Sequence, residues 1–290
     1  MISIDKEKCI NCGACADVCP ALVFEEVDGK AYPAHQNSCI KCWHCVAVCP
    51  ADAARCGEFA LGEFALKSGM KPLAGPEAVR NLMAVRRSVR EFKDKEVSRE
   101  LLEELAAAAA HAPTGHNAQA VNLSVITDRR LIERIDGRIL KMFDGIVRAA
   151  TTPVAGNVMR TVGAGEFAEI LLTQKEALER FKHAAQPDKR MHVFRGAPVL
   201  VVAHHGIEAL TGKEDCVIAL AQMQLLAEAH GLGCTWIGYL VAAAMLDPTI
   251  KKPLGVPLKH NLAAAAILGW PRRKYKRIIP RKPLAIKWIQ

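Results

Sequence analysis

The chain has 290 residues, 51% hydrophobic and 24% charged, a composition that can bury a sizeable core and a length that favours two unequal domains. No window approaches the roughly 18 consecutive apolar residues of a transmembrane helix, and the opening MISIDKEKC has no apolar signal core, so a cytoplasmic protein without a membrane span is expected. The net charge of +9 is uneven: residues 1–60 hold eight Asp/Glu against five Lys/Arg, a net −3, so the remainder carries +12. A basic body suits anionic ligands, an acidic redox partner or nucleic acid.

Ile2–Ile4 alternates like a short edge strand. It leads into the first of two copies of one motif. The run C-x2-C-x2-C-x3-C-P occupies Cys9–Pro20 and again Cys39–Pro50, 30 residues on, and takes up eight of the eleven cysteines. Thiolates this close suit the corners of a cubane iron–sulfur cluster. Zinc sites also use C-x2-C pairs, but they need one set of four ligands rather than two interleaved sets ending in Cys-Pro. Disulfides need an oxidising compartment, to which nothing in the sequence points. The stretch resembles a bacterial-type two-cluster ferredoxin over roughly residues 1–60. That resemblance implies that the fourth cysteine of each run crosses to the other cluster. Cys9, Cys12, Cys15 and Cys49 would hold one 4Fe–4S centre, and Cys39, Cys42, Cys45 and Cys19 the other.

Pro20 and Pro50 end the short helix of each run. Leu22–Tyr32 between the runs reads as a hairpin turning at Asp28-Gly29. Gly13 of the first run corresponds to Trp43 of the second, which either shields its cluster from water or simply packs. Cys56 lies outside the ligand set and reads as a small buried hydrophobe. Residues 57–76 contain a short GEFAL repeat and then Gly and Pro, so a linker over 61–76 is expected.

The second domain, 77–290, opens with a helix over Glu77–Val85, followed by Arg86-Arg87-Ser88-Val89-Arg90. Ser98 N-caps a helix over Arg99–His111, which Pro113-Thr114-Gly115-His116-Asn117 breaks. Val121–Thr127 is a strand, and Asp128 caps a helix over Arg129–Phe143. Periodicity is lost between 144 and 195 and recovers only around Glu166–Ala184, as an active-site lid or an ordinary insertion would. Ala197–His204 is a buried strand, Asp215–His230 a long apolar helix closed by Gly231-Leu232-Gly233, and Cys234–Leu240 a loop. Asp247–Lys252 is a short helix and Asn261–Leu268 a strand. The expected fold class is α+β: a two-cluster ferredoxin-like domain, then helices around an antiparallel or mixed sheet. From Gly269 to Gln290 the tail has eight Lys/Arg and no acid.

Arg86-Arg87-Ser88 after a helix suits a phosphate, because Arg gives bidentate, always-charged donors and Ser a neutral one. With RRSVREF (86–92), APTGHNAQ (112–119), GLGCTWIG (231–238) and LGWP (268–271), the chain resembles the FMN-dependent nitroreductase family over roughly residues 77–290. The resemblance implies that Arg86, Arg87, Ser88 and Arg90 grip the FMN phosphate and ribityl chain. It implies that Pro113, Thr114, Gly115 and Asn117 reach the same flavin from the partner subunit of a homodimer. Trp236, Ile237 and Gly238 would border the isoalloxazine, and Arg281 or Lys282 would complete the phosphate site. Where family members often carry an aromatic after Asn-x-Gln-Pro, Gln119 is followed by Ala120-Val121, so substrate choice does not carry over. No dinucleotide fingerprint occurs, so NAD(P)H, if it is a substrate, would bind over the flavin.

Other residues have milder readings. His204 and His205 on one strand point to opposite faces and are structural. His111 and His116 flank the flavin loop, His116 either near the ring or in a loop contact. Cys216 is core, and Cys234 is packing rather than redox-active. The whole reads as a flavin-dependent oxidoreductase passing electrons between two 4Fe–4S clusters and FMN to reduce a small organic acceptor, with no protein nucleophile. A ferredoxin-type protein is a candidate redox partner, with the natural donor and the direction of flow left open by the sequence. The reverse flow, from NAD(P)H through the clusters to a protein acceptor, and a non-catalytic electron-transfer subunit are the alternatives. The basic tail lacks the aromatic-rich surface of a nucleic-acid binder.

Overall fold

The chain divides into two units, Met1–Pro76 with His116–Ala118 and Glu77–Gly115 with Gln119–Gln290, in a computed structural model that describes residues 1–27, 29–70, 74–150 and 193–290. In the first unit the two cysteine runs fold as copies. Strand β1 (Ile2–Ile4) pairs antiparallel with β4 (Ala54–Cys56), joining the ends of the unit. Between them lie helix α1 (Ala14–Asp17), the hairpin β2 (Glu25–Val27) and β3 (Lys30–Tyr32), and helix α2 (His44–Val48). The hairpin pairs Val27 with Lys30, and Gly29 takes the left-handed φ of +70° that its tight turn requires. Asp28, the other turn residue, lies outside the described residues.

The 30-residue offset is written into the backbone. Left-handed φ recurs at Asn11 and Lys41, at Gly13 and Trp43, and at Leu22 and Asp52. The turn N–H of Leu22 donates to Cys19 O and that of Asp52 to Cys49 O, each at 3.3 Å. Ile2, Cys45, Val46 and Ala54 form the buried core, with Trp43, Leu61 and Phe64 packed against it. Leu61 and Phe64 belong to the segment expected as a linker, which here clusters with the first unit.

In the second unit four antiparallel strands are ordered β5-β6-β8-β7. They are β5 (Asn122–Ile126), β6 (Val199–Gly206), β7 (Gly233–Trp236) and β8 (His260–Gly269). Helix α3 (Pro76–Val85) precedes them. Helices α4 (Arg99–Ala110) and α6 (Gly212–Ala229) cover one face, and α5 (Arg129–Ala150) and α7 (Gly238–Leu246) the other. Alternation along β6 makes the sandwich: Val199, Val201 and Ala203 join Leu105, Cys216 and Met223, while Leu200 and Val202 join Ile139, Phe143 and Leu240. Burial on both faces is why this strand reads as one unbroken apolar run. Ser98 Oγ accepts from Leu101 N at 3.3 Å and Asp128 Oδ1 from Arg130 N at 2.9 Å, so both expected caps form.

Three expectations need correction. Cys234–Leu240 is no loop: its start is in β7 and its end in α7, joined at Ile237. A four-residue strand and an apolar helix too short to show a period do not reveal themselves by spacing. The helix from Arg129 runs past Phe143 to Ala150, and the helix expected over Asp247–Lys252 is two 3-10 turns, Pro248–Ile250 and Lys252–Leu254. The helix expected around Glu166–Ala184 lies outside the described residues.

The two strand histidines do point apart. At a bulge between Ala203 and His204, His204 Nδ1 sits 2.9 Å from His260 Nδ1, so one ring donates to the other. His205 Nδ1 meets Gly206 O at 2.7 Å. Burial, then His260 and His205, push the His204 pKa down from 6.5 to about 4, and the other cation on this edge, Lys251, donates to His260 O at 2.9 Å. A pKa lower in the folded state means that the unfolded chain binds more protons across this window. Stability from His204 is therefore full above pH 6.5 and is lost as pH falls toward 4. His204→Asn should flatten the acid side of the urea midpoint against pH relative to the parent; an identical slope would refute the assignment.

Candidate functional site

The first unit gathers the thiols across the two runs. Cys39, Cys42 and Cys45 line one cavity with Cys19, from the other run, together with Trp43, Val23 and Phe24. Cys15 in turn feels both Cys9 and Cys49. Among the described residues no three His, Cys, Asp or Glu side chains converge tightly enough for a single metal ion. Four thiols spaced around a void suit a cubane, whose four irons fill the space between the ligands. Backbone donors are arranged around the sulfurs: Val23 N–H to Cys19 Sγ at 3.4 Å, Ala53 N–H to Cys49 Sγ at 3.2 Å, and Lys41 N–H to Cys39 Sγ at 3.4 Å. Such bonds favour the thiolates that iron needs. Burial raises Cys49, but hydrogen bonds from Ala54, Ala53 and Ala51 outweigh it and lower the thiol overall. Cys45, the most enclosed, is pushed by burial to about 11 without metal. Cys56 is half-buried, its thiol directed at Phe59 O.

In the second unit the RRSV segment is zipped onto β7. Ser88 bridges Cys234, Val89 N–H donates to Cys234 O at 3.1 Å, and Thr235 Oγ1 donates to Val89 O. The approach is close enough to exclude a side chain at Gly233, where a Cβ would lie 2.6 Å from Val89. This pairing sets Ser88 and Val89 beside Cys234 and Thr235, immediately ahead of Trp236, Ile237 and Gly238, with Arg86 near Cys234 and Glu228. Ile237 is buried, its N–H on Ala265 O at 2.8 Å. Trp236 Nε1 donates to Gln224 Oε1 at 2.8 Å, and Gln224 Nε2 is buried with no hydrogen-bond partner among the described residues. A ligand acceptor or a water would satisfy it.

The arginines divide by role. Arg87 is buried, and its guanidinium donates to Arg86 O at 2.5 Å and Ala84 O at 3.1 Å, closing the C-terminus of α3. Arg86 faces Glu228 near the end of α6; burial raises that carboxyl, while Arg86 and Arg87 pull it down. Arg90 is exposed and neighbours Arg195, a residue the sequence reading passed over. Burial and then Arg90 lower the Arg195 pKa. Tyr239 and the carboxylate of Asp136 act in the opposite sense and favour the charged guanidinium. The signal available was Arg195-Gly196 immediately ahead of the apolar run of β6.

Pro113, Thr114 and Gly115 sit elsewhere. Gly115 N–H donates to buried Asp215 Oδ1 at 3.3 Å, and Thr211 Oγ1 donates to Asp215 Oδ2 at 3.2 Å. A Cβ at Gly115 would lie 2.1 Å from Thr211 Oγ1. Thr114 Oγ1 accepts from Gln119 N at 3.0 Å. Asn117 clusters with the first unit, where its Nδ2 donates to Lys41 O at 2.8 Å. Asp215 and Glu228 mark opposite ends of α6, about 20 Å apart at 1.5 Å per residue. One copy therefore separates the Pro113–Gly115 loop from the Arg86–Arg90 segment. Arg281 and Lys282 are exposed in the stretch beyond Pro271, which forms neither helix nor strand. The start of that stretch is tied back by Lys93 N–H on Trp270 O at 2.8 Å and Arg272 N–H on Glu91 O at 2.9 Å. Cys216 and Cys234 are buried, and burial pushes both thiols to about 12, which makes them packing groups. Among the described residues no helix is long and apolar enough to cross a membrane.

Comparison with known proteins agrees with both halves. A model described as the nitroreductase family matches residues 83–270, and one described as a 4Fe–4S dicluster domain matches residues 1–50. Ferredoxin-2 of Desulfomicrobium norvegicum is 53% identical over 32 residues, 11% of this chain and 54% of its own. The ferredoxin of Thermococcus litoralis is 50% identical over 30 residues, 10% of this chain and 51% of its own. The chain thus spans about half the length of the curated relatives it matches. Among solved structures, a nitroreductase with bound FMN from Bacteroides fragilis shares 21% identity at a TM-score of 0.53, covering 73% of this chain and 98% of its own. An iodotyrosine deiodinase bound to FMN and 3-iodo-L-tyrosine shares 18% at 0.51, covering 73% and 99%. At these identities the structures establish the fold. The family model covers well over half of the residues, and the chain belongs to the nitroreductase family of oxidoreductases, with a 4Fe–4S dicluster domain at its N-terminal end.

Proposed function

We propose that the chain works as a homodimer that binds FMN at each of two subunit interfaces and passes electrons from two 4Fe–4S clusters to the flavin, reducing a small organic acceptor. The separation along α6 supports this reading: the two groups of implied flavin residues neighbour opposite ends of one helix, and a second copy would bring the missing group to each flavin. Arg86, Ser88 and Arg90 would face the phosphate and ribityl chain, and Trp236–Gly238 the ring edge. Pro113, Thr114 and Gly115 would come from the partner, with Arg281 or Lys282 as the further cation. FMN, when bound, supplies hydride or single-electron chemistry, and the clusters supply single-electron transfer. The protein's share is electrostatic and positional. Arg86 and Arg90 hold permanent positive charge near an anionic ligand, which favours its more negative reduced form. Thr235 and Val89 fix the segment that presents these charges, and Asp215 and Thr211 fix the loop that closes from the other side. No side chain here is required to act as a nucleophile.

Anaerobic purification, followed by an optical spectrum, iron and sulfide analysis, flavin extraction and mass determination in solution, tests the reading. It expects FMN and a dimer, with roughly eight irons per chain for two cubanes. A monomer that retains stoichiometric FMN would overturn the shared site.

A further inference from the structure

The two runs are near-copies in backbone but not in cover. Gly13 and Trp43 occupy the same left-handed position, at φ +71° and +57°. Glycine adopts that conformation freely, whereas an L side chain is strained in it. The second run accepts the strain and places an indole there. Trp43 lines the same cavity as Cys19, Cys39, Cys42 and Cys45 and packs against the core of the unit. It is braced from outside: Phe59 meets it edge to face at 6.4 Å and 81°, and Phe64 meets Phe59 at 6.2 Å and 88°. Phe64 is itself anchored on the core, whereas Phe59 is 46% exposed. At Gly13, by contrast, a Cβ would meet nothing within 4 Å, and neighbouring Cys12 is exposed where Cys42 is half-buried.

We propose that Trp43, braced by Phe59 and Phe64, is a cover that keeps water from the cluster held by Cys19, Cys39, Cys42 and Cys45, and so sets the two clusters apart in reduction potential. The inference rests on the two-cluster reading above. A cubane with four thiolates gains one negative charge on reduction, and a dry, apolar wall disfavours the more highly charged form. Solvent exposure is one of the levers that set such potentials. The covered cluster is therefore held lower than an open cavity would leave it. The first cluster has Gly13 where this wall would stand.

The test uses the full-length protein, purified and reduced anaerobically, with a redox titration followed by electron paramagnetic resonance. Deuterium modulation of the same signals after exchange into D2O reports water near each cluster. Trp43→Gly should shift one midpoint upward, leave the other in place, and deepen the modulation of the shifted centre only. Trp43→Phe should restore most of the parent value. Phe59→Ala should move the same centre by less, and it keeps the proposal testable if the glycine variant fails to assemble. Gly13→Trp should lower the other midpoint. Two assembled clusters with unchanged midpoints and unchanged modulation would overturn the cover while leaving the two-cluster reading standing. Iron and sulfide at one cluster or none in the parent protein would overturn that reading, and the cover with it.

Discussion

Cys19→Ala is expected to remove the cluster whose other three ligands lie in the second run, and to leave the first-run cluster in place. Cys49→Ala should do the reverse. The expectation follows from the cavity that Cys19 shares with Cys39, Cys42 and Cys45 and from the closeness of Cys15 to Cys49 and Cys9. Each variant should lose roughly half the iron and sulfide of the parent, since each cubane holds four irons. The two reduced spectra should be complementary. If Cys19→Ala spoiled the centre of its own run instead, the crossed assignment would be wrong. Loss of every cluster in both variants would show that the unit assembles as a whole, and single Cys→Ser variants at Cys12 and Cys42, which keep an oxygen ligand, would then separate the two sites.

Arg86→Ala should weaken FMN binding by about 10- to 100-fold, because a hydrogen bond to a charged partner contributes roughly 1.5–3 kcal/mol. Arg87→Ala should behave differently. Its guanidinium is already engaged with Arg86 O and Ala84 O, so its loss should lower the melting temperature through the end of α3, with a smaller change in flavin affinity. Fluorescence titration of FMN into flavin-free protein, beside a thermal melt, distinguishes the two. Equal flavin affinity in Arg86→Ala and the parent would remove Arg86 from the proposed phosphate site.

What the sequence disclosed and what it hid follow from the range of the interactions involved. The cysteine runs were legible because a cubane draws three of its four ligands from seven consecutive residues, so spacing alone carries the chemistry. The caps at Ser98 and Asp128 were legible for the same local reason. The orientation of Arg87 was not, because an arginine in RRS can face a ligand or its own helix, and only the end of α3 decides. Arg195 was missed because its partner, Arg90, is more than a hundred positions away in the chain. The β7–α7 turn was hidden by its brevity. Gly115 was visible as a breaker, but the reason that only glycine fits there, the Thr211 hydroxyl, comes from the start of α6.

In the shared site proposed above, two half-sites at opposite ends of α6 would also decide how defects combine in a population of chains. On that proposal, a chain carrying Arg86→Ala would spoil the phosphate half of one site but still offer an intact Pro113–Gly115 loop to its mate. A chain carrying Gly115→Val, whose side chain would collide with Thr211, spoils the loop and keeps its arginines. Each variant alone gives dimers in which both sites are damaged. Co-expressed, they should form mixed dimers with one site built wholly from sound halves and one from two broken halves. Random pairing makes half of the dimers mixed, so roughly a quarter of all sites should recover parental flavin affinity. Such complementation between two inactive alleles requires the site to be shared, and two self-contained monomers could not show it.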